Sequence, residues 1–247
     1  MAATEMTEWI EQVSPRFRGR LAGVFEGLEG LTSTVGQVII PGRLIVSGSA
    51  AATAASVLGH QRLFWLGFGL SLIGVVFHIV WAFLFYDLFK PVRRSISVLA
   101  TFVILVGCAV QAVTAVLYVA PFLVLQGGSA LGAFAPSQLQ GLAYLFFRLN
   151  GQANNTYLVF FGLWCVLIGY LIFKSTFMPR ILGVLLMISG LGWMMYLSPR
   201  FANHIFVYIA VASALGEIPL QLWLIVMGVN SERWKEQAAR NAGQPIF

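Results

Sequence analysis

Four ionisable side chains lie inside segments of the sequence long enough and apolar enough on at least one face to cross a membrane: Glu26, Glu29, His78 and Glu217. An ionisable group at the centre of a lipid bilayer costs about 2.5–3.5 kcal/mol, so each one needs a partner, a water-filled cavity or a change of protonation state. Glu26 and Glu29 are three residues apart, so on a helix they share a face and repel each other when both are ionised. Carboxyl groups and an imidazole at similar depth are typical of a proton relay, a cation relay or a solute site.

The composition places these side chains in a membrane protein. Of the 247 residues, 59% are hydrophobic and only 10% are charged, and the mean hydropathy is +0.84. Soluble domains carry about 25% charged residues, and disordered chains are less hydrophobic than this one. Both classes are therefore excluded. In a membrane protein, an excess of Lys and Arg such as the net charge of +6 reflects the orientation of the chain in the membrane. No basic stripe in the sequence indicates a nucleic-acid partner.

Six segments are predicted to cross the bilayer, each needing about 20 apolar residues to span roughly 30 Å of hydrocarbon. Five meet that standard easily, whereas the first is more polar and qualifies because its apolar residues gather on one helical face. The predicted spans are about 21–39, 63–85, 98–118, 157–173, 181–197 and 205–229.

The basic residues support six spans independently of hydropathy. With six spans, one side of the membrane receives eleven Lys and Arg residues and the other receives four, Arg43, Arg62, Arg148 and Arg200. Because cytoplasmic segments accumulate Lys and Arg, both termini are predicted to be cytoplasmic. Omitting the weak first span would spoil this asymmetry.

The predicted fold is all-α, a single integral membrane domain over residues 1–247 that forms a six-helix bundle. Short amphipathic surface helices are expected at both termini, anchored by Trp9 and Trp234, and in two outer loops. One outer helix follows Ser47 or Ser49 as N-cap, and the other covers 142–147, before span four. Asp87 at the cytoplasmic end of span two is expected to pair with nearby Lys90, Arg93 or Arg94.

Small and polar residues recur at helical spacing on several spans, which predicts inward-facing stripes. The stripes are Gly67, Ser71, Gly74 and His78 on span two; Gly107, Gln111, Thr114 and Tyr118 on span three; and Ser213, Glu217 and Gln221 on span six. At 1.5 Å per residue, the four ionisable groups lie roughly 9–18 Å from the cytoplasmic ends of their spans.

These depths predict one buried polar layer in the inner half of the bundle. Its members are Glu26, Glu29, His78, Gln111 and Glu217. Pro219, two residues after Glu217, removes a backbone donor and is expected to kink span six beside this layer.

Three interpretations of the layer remain open. The stripes are either packing seams whose carboxyl groups are neutral or hydrogen-bonded, or a relay or solute site, or a metal or redox centre. The last is disfavoured because a b-type haem takes two histidines and only His78 lies within a span, and because no Glu-x-x-His pairs occur. No cofactor or metal is therefore predicted. The absence of G-x-S-x-G and H-E-x-x-H motifs argues against an enzyme.

Several motifs in sequence order resemble an uncharacterised bacterial membrane family, domain of unknown function 4386. They are RLIVSGSAAATA at 43–54, LFWLGF at 63–68, LFYDLFKPV at 84–92, GLWCVLIGY at 162–170, MPRILG at 178–183 and GEIPLQLWLIVMG at 216–228. The resemblance implies a polytopic helical membrane protein of six or so spans, and it carries no activity or catalytic residue.

The expected function is small-solute or proton-linked transport, or a channel-like role, in the cytoplasmic membrane of a bacterium. The alternative is a non-enzymatic accessory or scaffold subunit of a larger membrane complex. The expected partners are the lipid bilayer and, in the second case, other membrane-protein subunits or further copies of the chain. No nucleic-acid partner is expected.

Overall fold

A computed structural model describes residues 13–241 of the chain. The structure in this range is helical. Its α-helices are α1 (Pro15–Ser33), α2 (Ile40–Leu44), α3 (Ala50–Gly59), α4 (Gln61–Phe89), α5 (Arg94–Gln126), α6 (Pro136–Lys174), α7 (Arg180–Met194), α8 (Pro199–His204), α9 (Phe206–Val226) and α10 (Ser231–Asn241). A π-helix over Thr34–Ile39 joins α1 to α2, and 3₁₀ turns cover Ser129–Leu131 and Met195–Leu197.

Five helices in residues 13–241 are long and apolar enough to cross a membrane. They are α4, α5, α6, α7 with its 3₁₀ end, and α9, so the chain has the character of a multi-pass membrane protein. The predicted first span, 21–39, is helical throughout, but the charged residues of α1 keep it outside this set. The count of six spans and the cytoplasmic position of both termini stay predictions.

The short predicted helices have mixed outcomes. Ser49 is the N-cap of α3, with its hydroxyl accepting the Ala52 N–H at 3.2 Å, and a helix, α10, covers Ser231–Asn241. That these helices lie on the membrane surface stays a prediction. The separate outer helix at 142–147 is wrong, because α6 runs unbroken from Pro136 into span four. Pro136 occupies the first helical turn, where a missing N–H costs nothing, and no later proline interrupts the helix. The N-terminal surface helix around Trp9 lies outside the described residues.

The chain divides into two compact units. Within the described residues, the first unit comprises 13–27, His78–Gly107 and 158–241, and the second comprises Leu28–Phe77 and Cys108–Tyr157. The helices α1, α4, α5 and α6 contribute a segment to each unit. The prediction of a single domain stays a prediction.

The first unit is built on an aromatic core and on close helix contacts through glycine. Trp81 and Trp164 are fully buried with ring centroids 4.5 Å apart, and Phe85 packs on Trp164 at 5.1 Å. A Cβ at Gly162 would lie only 2.6 Å from the carbonyl oxygen of Gly190, so α6 and α7 touch backbone to backbone. The hydrophobic effect does not drive helices together inside a bilayer, because lipid tails are as apolar as the side chains. Close van der Waals packing between small residues stabilises the helix contact instead.

The second unit has its own aromatic cluster. Phe64 stacks on Tyr118 with centroids 4.6 Å apart and on Phe122 at 5.2 Å, which ties α4 to α5. A Cβ at Gly36 would lie 2.9 Å from Ser71 Oγ, so the π-helix packs directly on α4. The absence of a side chain at Gly36 is what allows this approach.

Candidate functional site

Glu217 of α9 is held by two side chains from α7. Ser189 Oγ and Trp193 Nε1 both donate hydrogen bonds to Glu217 Oε1, at 2.6 and 2.7 Å. Ser189 and Trp193 are one helical turn apart, so they face α9 together. The neighbouring Gly216 lets the helices meet here, since a Cβ at that position would lie 2.6 Å from the carbonyl oxygen of Leu185. The half-buried carboxyl group therefore lies at a close contact between α9 and α7.

His78 lies in a cluster of aromatic rings in the same unit. Its side chain is fully buried, and its ring stacks on Trp81 with centroids 4.4 Å apart. Phe161 meets the His78 ring edge to face at 6.4 Å and the Trp193 ring at 6.4 Å. A continuous series of ring contacts thus connects the imidazole to the indole that donates to Glu217.

Glu26 also belongs to the first unit. Gly23 and Gly27, on either side of it, pack on α9 at Leu224 and Gln221. Glu217 lies on α9 as well, so the two predicted acids of this unit lie on helices that contact each other, although they are far apart in sequence.

Glu29 and Gln111, the other members of the predicted layer, belong to the second unit. Ser33 Oγ donates to Glu29 Oε1 at 2.8 Å, and Gln111 is buried. The prediction that all five side chains form one layer is not tested by these contacts. Pro219 lies inside α9, and the kink expected there also stays a prediction.

A second group of charges lies at the predicted cytoplasmic ends of α1 and α4. Asp87 is buried and pairs with Lys90 at 2.7 Å, as expected, but also with buried Arg18 of α1. The Arg18 guanidinium lies 4.8 Å from the centre of the Trp234 ring, in cation–π geometry. Trp234 Nε1 donates to the carbonyl oxygen of Leu88 at 2.8 Å. Trp234 therefore anchors α10 on protein, a contact that the sequence did not reveal.

Sequence reasoning missed Ser189, Trp193 and Arg18. A signal existed for Arg18, because Pro15, Arg18 and Ala22 fall on one helical face and all three are buried. For Ser189 and Trp193 the only signal is a polar hydroxyl and an indole four residues apart in an apolar span. Within residues 13–241, no group of three His, Cys, Asp or Glu side chains is placed to hold a metal.

These features define a polytopic helical membrane protein with hydrogen-bonded acidic groups in each of its two units. Residues 22–228 match the family described as "Domain of unknown function (DUF4386)", and the chain belongs to this family. This confirms the resemblance seen in the sequence motifs.

One curated relative is an uncharacterized protein of Archaeoglobus fulgidus, 34% identical over 70 residues. The match covers 28% of this chain and 43% of that protein, so the chain spans less than half of that relative's length. No solved structure matches the chain.

Proposed function

We propose that the protein performs proton-linked transport of a small solute, with Glu217 as a proton-binding group. In this proposal it is a six-span protein of the bacterial cytoplasmic membrane with both termini inside. The observation that carries the proposal is the pair of hydrogen bonds from Ser189 and Trp193 to one oxygen of a carboxyl group on a membrane-spanning helix.

The chemistry of the two donors suits a group that gains and loses a proton. The indole N–H of Trp193 can only donate, whereas the Ser189 hydroxyl can donate to a carboxylate and accept from a protonated carboxyl. Placing a charged side chain at the centre of a bilayer costs about 2.5–3.5 kcal/mol, and a hydrogen bond to a charged group returns about 1.5–3 kcal/mol. In this proposal the two hydrogen bonds offset that cost for the ionised carboxyl group of Glu217.

Other titratable groups of the first unit take part in this balance. Glu26 lies on α1, which packs on α9 through Gly23 and Gly27, and His78 is linked to Trp193 through the ring of Phe161. In this proposal a negative charge on Glu26 opposes ionisation of Glu217. In this proposal the site therefore exchanges one proton as the charges around it change.

Trp193 gives a direct optical test of proton binding at Glu217. The optical signal of Trp193 is obtained as the difference between the spectra of wild type and Trp193→Phe. This signal is expected to change with pH, because the indole N–H donates to the titrating carboxyl group. The change is expected to vanish in Glu217→Gln. Exposed Glu232→Gln, the same chemical change on α10, serves as the control and should titrate like wild type. A pH-independent Trp193 signal in wild type would contradict the assignment.

Transport itself is tested in proteoliposomes that contain the pH-sensitive dye pyranine. A panel of amino acids, sugars, polyols and amines is added outside, and proton-linked uptake is expected to change the internal pH for at least one solute. Glu217→Gln is expected to reduce that proton signal by about 100-fold or more, since it removes the proton site while keeping the side-chain volume. A full proton signal in Glu217→Gln would reject the role of Glu217. No signal from any solute in wild type would favour the accessory-subunit alternative.

A further inference from the structure

The second unit contains a small polar cavity that the proposed proton site does not use. Its volume is about 70 Å³, and it is lined by side chains from the π-helix, α4, α5 and α6. Every residue that lines it is uncharged, and seven of them have polar side chains: Gln37, Ser71, Gln111, Thr114, Tyr118, Asn150 and Asn154. Such a volume holds an ion with one or two waters, since a water occupies about 30 Å³ in the liquid.

The hydroxyl groups that line the cavity donate their protons to backbone carbonyl oxygens. Ser71 and Thr114 each donate to the carbonyl four residues earlier in their own helix, at 2.8 and 2.9 Å. Tyr118 Oη donates to the carbonyl oxygen of Phe64 at 3.3 Å. A hydroxyl has one proton to donate, so these three oxygens present only lone pairs to a ligand.

Gln111 adds an acceptor that lacks a partner. Its side chain is only 3% exposed, and its Oε1 accepts no hydrogen bond from any residue in 13–241. An unsatisfied buried acceptor costs about 1–3 kcal/mol, so a native protein rarely keeps one without a compensating contact. Asn150 also lines the cavity, and its Nδ2 is occupied in donating to the carbonyl oxygen of Thr114 at 2.7 Å.

The wall formed by the π-helix has an unusual backbone. π-helices are rare and occur frequently at functional sites. This one, Thr34–Ile39, brings Gly36 against Ser71 and places Gln37 in the cavity lining. The π-helix therefore shapes one wall of the cavity.

We propose that this cavity binds a small monovalent cation, an alkali ion or ammonium. Both demand oxygen acceptors and carry a single positive charge, which is the chemistry that the lining offers. A divalent cation would favour carboxylates, which the lining lacks, and an anion would face the lone pairs of the three hydroxyl groups. The inference is independent of the proton site, because Glu217 and its partners belong to the first unit.

The test measures thermal unfolding of the full-length protein in detergent, in N-methyl-D-glucamine chloride buffer. Sodium, potassium or ammonium chloride replaces the buffer salt at constant ionic strength, and choline chloride serves as a cation too large for the cavity. At about ten times the dissociation constant, the preferred ion is expected to raise the unfolding midpoint by about 3–5 °C. The three salts show whether an alkali ion or ammonium is bound.

Gln111→Leu gives the sharpest comparison. Without cation this variant is expected to be at least as stable as wild type, because it replaces an unsatisfied buried acceptor by an apolar group of similar size. With cation the order is expected to reverse, and the apparent affinity to fall about tenfold or more. Thr114→Val, which removes one lining oxygen and keeps the shape, is expected to weaken binding as well. Exposed Gln152→Leu is the matched control.

Two results would overturn the proposal. One is a wild-type midpoint that responds to the small cations no more than to choline, which would mean that the cavity holds water only. The other is an ion-specific shift of equal size in wild type, Gln111→Leu and Thr114→Val, which would place the ion elsewhere. Neither result bears on the Trp193 titration, so the two proposals fail separately.

Discussion

Replacing Asp87 by Leu is expected to destabilise the protein by about 3–5 kcal/mol, because it leaves the buried Arg18 guanidinium without its counter-charge. Both side chains of the pair are almost completely inaccessible, with side-chain exposures of 7% for Arg18 and 6% for Asp87. Lys90, the other partner of Asp87, is more exposed and can turn to water, whereas Arg18 cannot. Arg18→Met should cost less, since Asp87 then keeps Lys90 as a partner.

The double variant Arg18→Met with Asp87→Leu distinguishes a buried charge from lost packing. Replacing a whole buried ion pair by apolar groups is often neutral, so the double variant is expected to recover most of the free energy lost by Asp87→Leu alone. Glu232→Gln, which breaks an exposed pair with Lys235 at 3.7 Å, is the control and should change stability by less than about 1 kcal/mol. Chemical unfolding followed by tryptophan fluorescence measures all four variants. Additive losses in the double variant would refute the electrostatic explanation.

The periodicity of the sequence was enough to orient several helices. Gly67, Ser71, Gly74 and His78 were predicted to face inward from their spacing of four, three and four, and all four are buried. The apolar face of the predicted first span is turned outward instead, since Leu31 on that face is 63% exposed. Such predictions succeed because the positions on a helix that share a face depend on the helical repeat alone.

The partners of the polar groups could not be obtained in the same way. That Glu217 meets Ser189 and Trp193 depends on the register of α9 against α7, which the close contact of Gly216 sets. The rule that basic residues mark the cytoplasm identified Arg18 as a charge on one side of the membrane, but it gives no partner. Contacts of this kind depend on the register and the distance between two packed helices, and neither can be obtained from a single sequence.

The boundaries of α6 show a different limit. The predicted span four began at residue 157, whereas α6 already includes the polar residues before it. Asn150 finds a partner for its amide in the carbonyl oxygen of Thr114, which helps a polar turn to remain helical inside the protein. Hydropathy locates the apolar part of a helix and does not report where the helix itself begins.

A substitution of glycine at the contact between α6 and α7 is expected to have the second large effect on the stability of the protein. Gly162 and Gly169 on α6 are seven residues apart, as are Gly183 and Gly190 on α7. A repeat of seven keeps residues on one seam, and in the structure Gly162 faces Gly190 while Gly169 faces Gly183. A Cβ at Gly169 would lie 2.7 Å from the carbonyl oxygen of Gly183, and one at Gly183 would lie 2.7 Å from the backbone nitrogen of Phe173.

Gly183→Val is therefore expected to lower the free energy of unfolding by about 3 kcal/mol or more, because backbone atoms cannot move aside as a flexible side chain does. Gly30→Ala and Gly141→Ala are the matched controls. Both positions are helical and have nothing within 4 Å of the added Cβ, so each should be neutral or stabilising by about 0.5–1 kcal/mol. Thermal unfolding in detergent and the yield of monodisperse protein measure the difference. If Gly183→Val unfolded at the wild-type midpoint, α6 and α7 would have to be farther apart than the structure places them.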